Sequence, residues 1–278
     1  MKRAIIGAAV VAGVACLTAT PAQAAPQIDP VKALKAESVA GRAVNVQSTA
    51  KVTYTPSLVV TTGLEGTIGF DRRGAAASDV AQTLQYSKDL LRSVKKSKPQ
   101  EVEALGQGPI RMISSRDASY VSGPIVDPAL PQGTSWVRYS PAGLPPSNLV
   151  LNVLEPATLK TLVSHRTSWR DGVLKGSIKA SKLAAASPSY ASRFGTRSRS
   201  GRDGKITYTL WFGGGGLVER VSAKAVLPYG KSSMTVESST RFSDWGREVT
   251  VLLPLRGDVL DRGQLGDKVP AEVPGIWN

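Results

Sequence analysis

The chain holds one histidine and one cysteine in 278 residues, so most side-chain chemistry has few places to start. A Ser-His-Asp triad would have to use His165, and no G-x-S-x-G elbow accompanies it. His165 closes the apolar-periodic run EPATLKTLVSH, where a helix C-terminus favours a cation. Zinc and copper sites need several imidazoles or thiolates, and a Ca²⁺ loop of the D-x-D-x-D-G type is absent. The run YGKSS (229–233) has the end of a phosphate loop, but Ala225 stands where that motif needs glycine. Ser93-Val94-Lys95-Lys96 has the S-x-x-K spacing without the companion K-T-G. The carboxylates are scattered. The sequence therefore points away from an enzyme, with no metal and no cofactor expected.

What it has in quantity is positive charge, +14 overall and +12 once Lys2 and Arg3 are removed. Two clusters stand out. Arg92, Lys95, Lys96 and Lys98 precede Pro99, and Arg193, Arg197 and Arg199 lie in the polar run SPSYASRFGTRSRSGRDGK, read as a loop. Both are candidate contacts for anionic head groups, and the alternative is that they are solvated loops.

The first 24 residues explain which anions the chain would meet. Lys2 and Arg3 lead an apolar run of small residues, and Ala22 and Ala24 form an A-x-A site. This predicts a secretory signal peptide cleaved after Ala24 and an extracytoplasmic protein. Nucleic acid is then not an expected partner, whereas an anionic membrane or wall surface is. Gly13-Val14-Ala15-Cys16 is a degenerate lipobox, so Cys16 is a possible lipid anchor; otherwise it leaves with the signal. Without it no disulfide can form, and an apolar core must stabilise the fold.

The elements follow from periodicity. Asp29-Pro30 caps a helix predicted over 30–46. KVTYTPSLVV and LEGTIGFD alternate as antiparallel strands, with Gly66 and Gly69 bending the second. Residues 75–105 read as strand or helix. EPATLKTLVSH and SKLAAAS read as helices. ITYTLWF, LVERVSAKAVL, SSMTVESSTRF and EVTVLLP form a four-strand meander, its last turn a tight hairpin at Ser-Asp-Trp-Gly (243–246). On one face of this meander lie Leu210, Phe212, Val221, Met234, Val236 and Phe242, with polar residues opposite. The expected class is α+β: a strongly curved antiparallel sheet, a half-open barrel, covered on one face by helices. The expected layout is a signal over 1–24, one domain over 25–262 and a surface tail over 263–278.

The order of these elements resembles the LppX/LprG-like cell-envelope proteins of actinobacteria, whose fold is similar to LolA and LolB. The resemblance runs from about 30 to 262 and is carried by KVTYTPSLVV, LEGTIGFD, TSWVRYS, EPATLKTLVS, GSIKASKL, ITYTLWF…GLVERV and FSDWGREVTVLLP. Two features depart from it: the poor lipobox, and Gly213 to Gly216 where an Asp is usual. The resemblance implies a monomer that carries acyl chains of lipids or glycolipids in an apolar cavity, lined here by the six residues just named. A second function remains open, a regulatory protein binding the external part of an anti-sigma factor.

Overall fold

The computed structural model describes residues 29–139, 149–195 and 202–273. The signal peptide, Cys16, Arg197 and Arg199 lie outside them. The elements in chain order are α1 (Pro30–Glu37), β1 (Arg42–Thr55), β2 (Leu58–Asp71), β3 (Gly74–Tyr86), α2 (Lys88–Ser97), α3 (Pro99–Gln107), β4 (Ile110–Ser114), β5 (Ser119–Ser122), β6 (Trp136–Tyr139), α4 (Pro156–Ser164), β7 (Arg166–Arg170), β8 (Val173–Lys179), α5 (Ala180–Ala186), α6 (Pro188–Phe194), β9 (Lys205–Phe212), β10 (Val218–Tyr229), β11 (Ser232–Glu248), β12 (Val259–Asp261) and α7 (Arg262–Leu265).

The twelve strands make one open sheet in the order β12-β6-β5-β4-β3-β2-β1-β11-β10-β9-β8-β7. Every pair is antiparallel except β12 with β6. The fold is thus α+β with a large, open, antiparallel sheet. Strand alternation gives it an apolar inner face and a polar outer one. Val52, Val236, Ala225 and Ile206 stand side by side across four strands of the inner face. The next inner row holds smaller groups: Ala50, Ser238, Ala223, then Tyr208 beside Gly176. Gly176 is required there, because a Cβ would sit 2.4 Å from the Tyr208 hydroxyl.

Two covers share the inner face. Helices α1, α4, α5 and α6 and the segment 149–154 pack over β8–β11 and β1–β2, contributing Leu34, Leu154, Leu159, Leu162 and Leu183. The Tyr208 hydroxyl donates to the Leu162 carbonyl at 2.6 Å and ties α4 to the sheet. Glu155, at the start of α4, accepts from Thr158 Oγ1, Ser187 Oγ and the Ser189 amide at 2.6, 2.5 and 3.1 Å, joining α4 to α6. The second cover lies over the β3–β6 half: α3, the turn at 123–130 and the C-terminal segment enclose Ile110, Val121, Val126 and Val137.

Several expectations change. The first helix, expected over 30–46, stops at Glu37, and residues from Arg42 on belong to the strand β1 instead. Gly41, at φ +83°, turns the chain between them. Residues 75–105 divide into β3, α2 and α3. Arg193 is in the last turn of α6, not in a loop; Ser187 caps that helix and Pro188 fills its first turn.

The Ser243–Gly246 corner is not a hairpin. β11 runs straight through it, because β1 continues as its partner on both sides: Asn45 pairs with Ser243 and Ala43 with Arg247. Four steps on β11 oppose two on β1, so the corner is a wide bulge. Asp244 and Gly246 take φ values of +53° and +78° to form it, and Asn45 Nδ2 donates to Asp244 Oδ2 at 2.6 Å. Past it the strand loses its partner, since β1 begins at Arg42; the Val249 amide makes the last bond, to Gly41 O. The rest of EVTVLLP, from Thr250 on, is therefore a strap outside the sheet. It passes the end of β2, where a Cβ on Gly69 would meet Val251 at 3.5 Å, and it leaves Leu252 and Leu255 76% and 74% exposed.

Candidate functional site

The six residues expected to line a cavity do share one face. Leu210, Val221, Val236 and Phe242 are buried at the centre of the main core, and Phe212 and Met234 pack at its border. Phe212 stacks on Trp169 with centroids 5.4 Å apart, and Met234 lies opposite Leu227. None of the four central side chains exposes more than 2% of its surface. In this conformation they are packed core, closed by α4, α5 and α6.

A groove opens elsewhere, at the edge of the second core. The groove, of about 1030 Å³, runs between α3, the turn at 123–130 and the C-terminal segment. Ala104, Ile125, Ala129 and Val269 belong both to this groove and to the second core cluster. Its rim carries three cations, Lys98, Arg262 and Lys268, and four carboxylates, Glu101, Glu103, Asp267 and Glu272. Each wall has a local cause. Pro99 starts α3. Asp127 Oδ1 accepts from the Gly123 amide at 3.0 Å and closes the turn that presents Ile125. Asp261 and Gln264 form a capping box on α7. The Tyr139 hydroxyl and Arg262 Nε both donate to Pro270 O, at 3.1 and 3.3 Å, and pin the far wall. Burial raises the Tyr139 pKa, with Arg262 opposing. Burial, reinforced by Glu101, raises that of Tyr86 beneath α3. The volume lies at the upper end of ordinary ligand sites, about 300–1,000 Å³. An apolar floor under a charged rim suits an amphiphile.

The C-terminal segment was expected to lie on the surface. Instead Val269 and Val273 are buried in the second core, with Leu265 against them. Their spacing of four (265, 269, 273) is the signal that sequence reading passed over.

The basic candidates separate. Arg92, Lys95 and Lys96 project from α2, which buries no residue. Arg92 is paired with Asp89, and Lys98 with Glu101 at 3.1 Å. Arg193 turns inward with its Nη1 buried; burial lowers its guanidinium to about 10, and Glu155 pulls the other way. It is not placed to meet a membrane. His165 caps α4, its Nδ1 3.0 Å from Thr161 O and 3.1 Å from Ser164 Oγ, with no carboxylate partner. Among the described residues no three His, Cys, Asp or Glu side chains converge as a metal site, and no helix is long and apolar enough to cross a membrane.

No known protein family matches the chain, and no curated protein matches it. Among solved structures, a LolA superfamily protein from Nitrosomonas europaea aligns over 81% of this chain and 96% of its own, at 7% identity and a TM-score of 0.26. A de novo designed transmembrane β-barrel aligns over 73% of this chain and 97% of its own, at 4% identity and a TM-score of 0.18. At these scores neither match assigns a family or a function.

Proposed function

We propose that this is an exported, non-enzymatic protein that binds the acyl chains of lipids or glycolipids and shields them from water. The observation that carries the reading is the groove over the second core, where Ala104, Ile125, Ala129 and Val269 form an apolar floor beneath Lys98, Arg262 and Lys268. Each methylene removed from water contributes about 0.8 kcal/mol, so a sixteen-carbon chain gains roughly 12 kcal/mol before ordering costs. Lys98 is taken up by Glu101, so Arg262 and Lys268, which form no ion pair among the described residues, would hold the anionic part of a head group at the groove mouth. The signal peptide expected over 1–24 would take the chain to where such lipids pass, and the apolar face under α4–α6 would supply further volume if that cover lifts.

Native mass spectrometry of the mature protein tests the reading, before and after incubation with phosphatidylglycerol vesicles. Bound lipid is expected, and Ala104→Trp and Ala129→Trp should reduce it while leaving the far-ultraviolet circular dichroism unchanged. A protein that stays lipid-free in both conditions, or that loads equally when the groove is filled, would overturn it.

A further inference from the structure

The outer face of the sheet carries a second concavity, of about 610 Å³, far from the acyl groove in both composition and position. It runs across the strands between two ranks of side chains. One rank is Thr61, Lys51, Glu237, Lys224 and Thr207, paired neighbour to neighbour from β2 to β9. The other is Thr49, Ser239, Ser222, Thr209 and Lys175, from β1 to β8. At about 4.8 Å per strand, the six strands from β2 to β8 give a trough of roughly 24 Å. The ranks are two residues apart along each strand, about 7 Å. That is the dimension of an extended polymer.

The chemistry of the walls is specific. The hydroxyls of Thr49, Thr61, Thr209, Ser222 and Ser239 make no hydrogen bond among the described residues. Lys51 and Lys175 have no ion-pair partner among them, while Lys224 is held by Glu237 at 2.9 Å. Glu237 is the single carboxylate of the trough; its hydrogen bond to Lys224, and behind that the charges of Lys224 and Lys51, hold it below the usual carboxylate range. One rank further along the strands, Arg241 stands beside Arg220, whose guanidinium lies 5.0 Å from the centre of the Trp211 ring. Solvent-facing hydroxyls in a row, free of protein partners, can bond the hydroxyls of a ligand, and the surplus cations recognise regularly spaced negative charge.

We infer that this trough binds an extended polyanion rich in hydroxyl groups, a phosphate- or carboxylate-bearing polyol or polysaccharide. A membrane surface fits less well, because the two ranks of side chains are hydroxyls and charged groups, with no large apolar side chain among them to enter a bilayer. The inference does not depend on the acyl groove, and its residues are separate from that groove.

Titration calorimetry of the mature protein against four probes tests it: poly(glycerol phosphate), hyaluronate, neutral dextran and polyglutamate. Binding that weakens with salt is expected for one or both of the first two, and which of them binds identifies the anion as phosphate or carboxylate. Dextran lacks the charge and polyglutamate lacks the hydroxyls, so both should bind at least tenfold more weakly. The exposed double change Lys51→Gln with Lys175→Gln should weaken binding roughly tenfold or more, and Ser222→Val with Ser239→Val should erase the preference over polyglutamate. Acyl-lipid loading should be the same in both variants. Equal binding of all polyanions, equal loss from Lys95→Gln with Lys96→Gln on α2, or binding to anionic vesicles but to no polymer would each overturn the inference.

Discussion

The indole of Trp245 lies parallel to the ring of Phe70, with planes 6° and centroids 6.0 Å apart. The bulge in β11 makes this possible by swinging Trp245 under the end of β2. Phe242 flanks the same indole at 5.8 Å, and Nε1 donates to Val218 O at 3.1 Å. Trp245 thus joins β2, β10 and β11. Trp245→Ala should cost about 2–3 kcal/mol, less than a fully buried Trp because the side chain is only part-buried. Trp245→Phe keeps the stack, loses the hydrogen bond and should cost about 1 kcal/mol. Urea unfolding of the two variants measures the difference, and equal losses would show that the stack contributes nothing.

Gly66 has φ +151°, and a Cβ there would stand 2.1 Å from the Asp79 carbonyl oxygen. That atom is backbone of the paired strand β3 and cannot swing aside. Gly66→Ala should therefore destabilise by more than about 2 kcal/mol through strain in the ladder. Gly214, whose added Cβ meets nothing within 4 Å, is the control and should tolerate alanine. Melting temperatures of the pair check this.

Tyr208 titrates as a buried hydroxyl. Burial pushes its pKa up to about 12 from an ordinary 10, so the folded protein holds the proton more tightly than the unfolded chain. The sign follows: the contribution is complete below pH 10 and is lost as pH rises from about 10 towards 12. Tyr190 is raised too, mainly by burial with Asp203 adding, and deepens the same alkaline transition. Tyr208→Phe should cost about 1 kcal/mol at neutral pH, because the Leu162 carbonyl loses its donor, and should flatten the loss of stability above pH 10. Denaturant midpoints at pH 8, 10 and 11 give both readings.

Val236 is fully buried between Val52 and Ala225. Val236→Glu places a carboxylate there with no basic neighbour across either pair, and it should abolish folding or cost more than about 4 kcal/mol. Val226→Glu, on the exposed outer face next in sequence to Ala225, should fold normally. Yield of soluble secreted protein and circular dichroism distinguish the two faces.

The local signals in the sequence were reliable where the partner was local. Asp29 caps α1 through Oδ1, bonded to the amides of Val31 and Lys32 at 2.9 and 3.2 Å, as its position before Pro30 predicts. The alternation in β9, β10 and β11 gives the right face, because each strand follows its neighbour in the chain. Asp244 and Gly246 were misread because a bulge and a hairpin use the same residues for the same positive φ; the distinction lies in β1, about two hundred positions earlier. α6 was hidden by the arginines around it, although Ser187-Pro188 is a good helix start. The groove over the second core was not legible at all. Its walls come from α3, a Pro-rich turn and the C-terminal segment, and only the fold brings them together.

The strand that joins the two halves of the sheet is β1, with β2 on one side and β11 on the other. Asn45 and Asp244, bonded across that seam, are separated by 199 positions. Apart from the parallel pair β12 with β6, each half is a run of antiparallel neighbours close in sequence, but the long seam between the halves has to wait for nearly the whole chain. Its closure is the costly, slow event in folding, because so large a loop must be ordered before any contact rewards it. Until then both β1 and β11 present bare edges, which have to be kept apart from other copies.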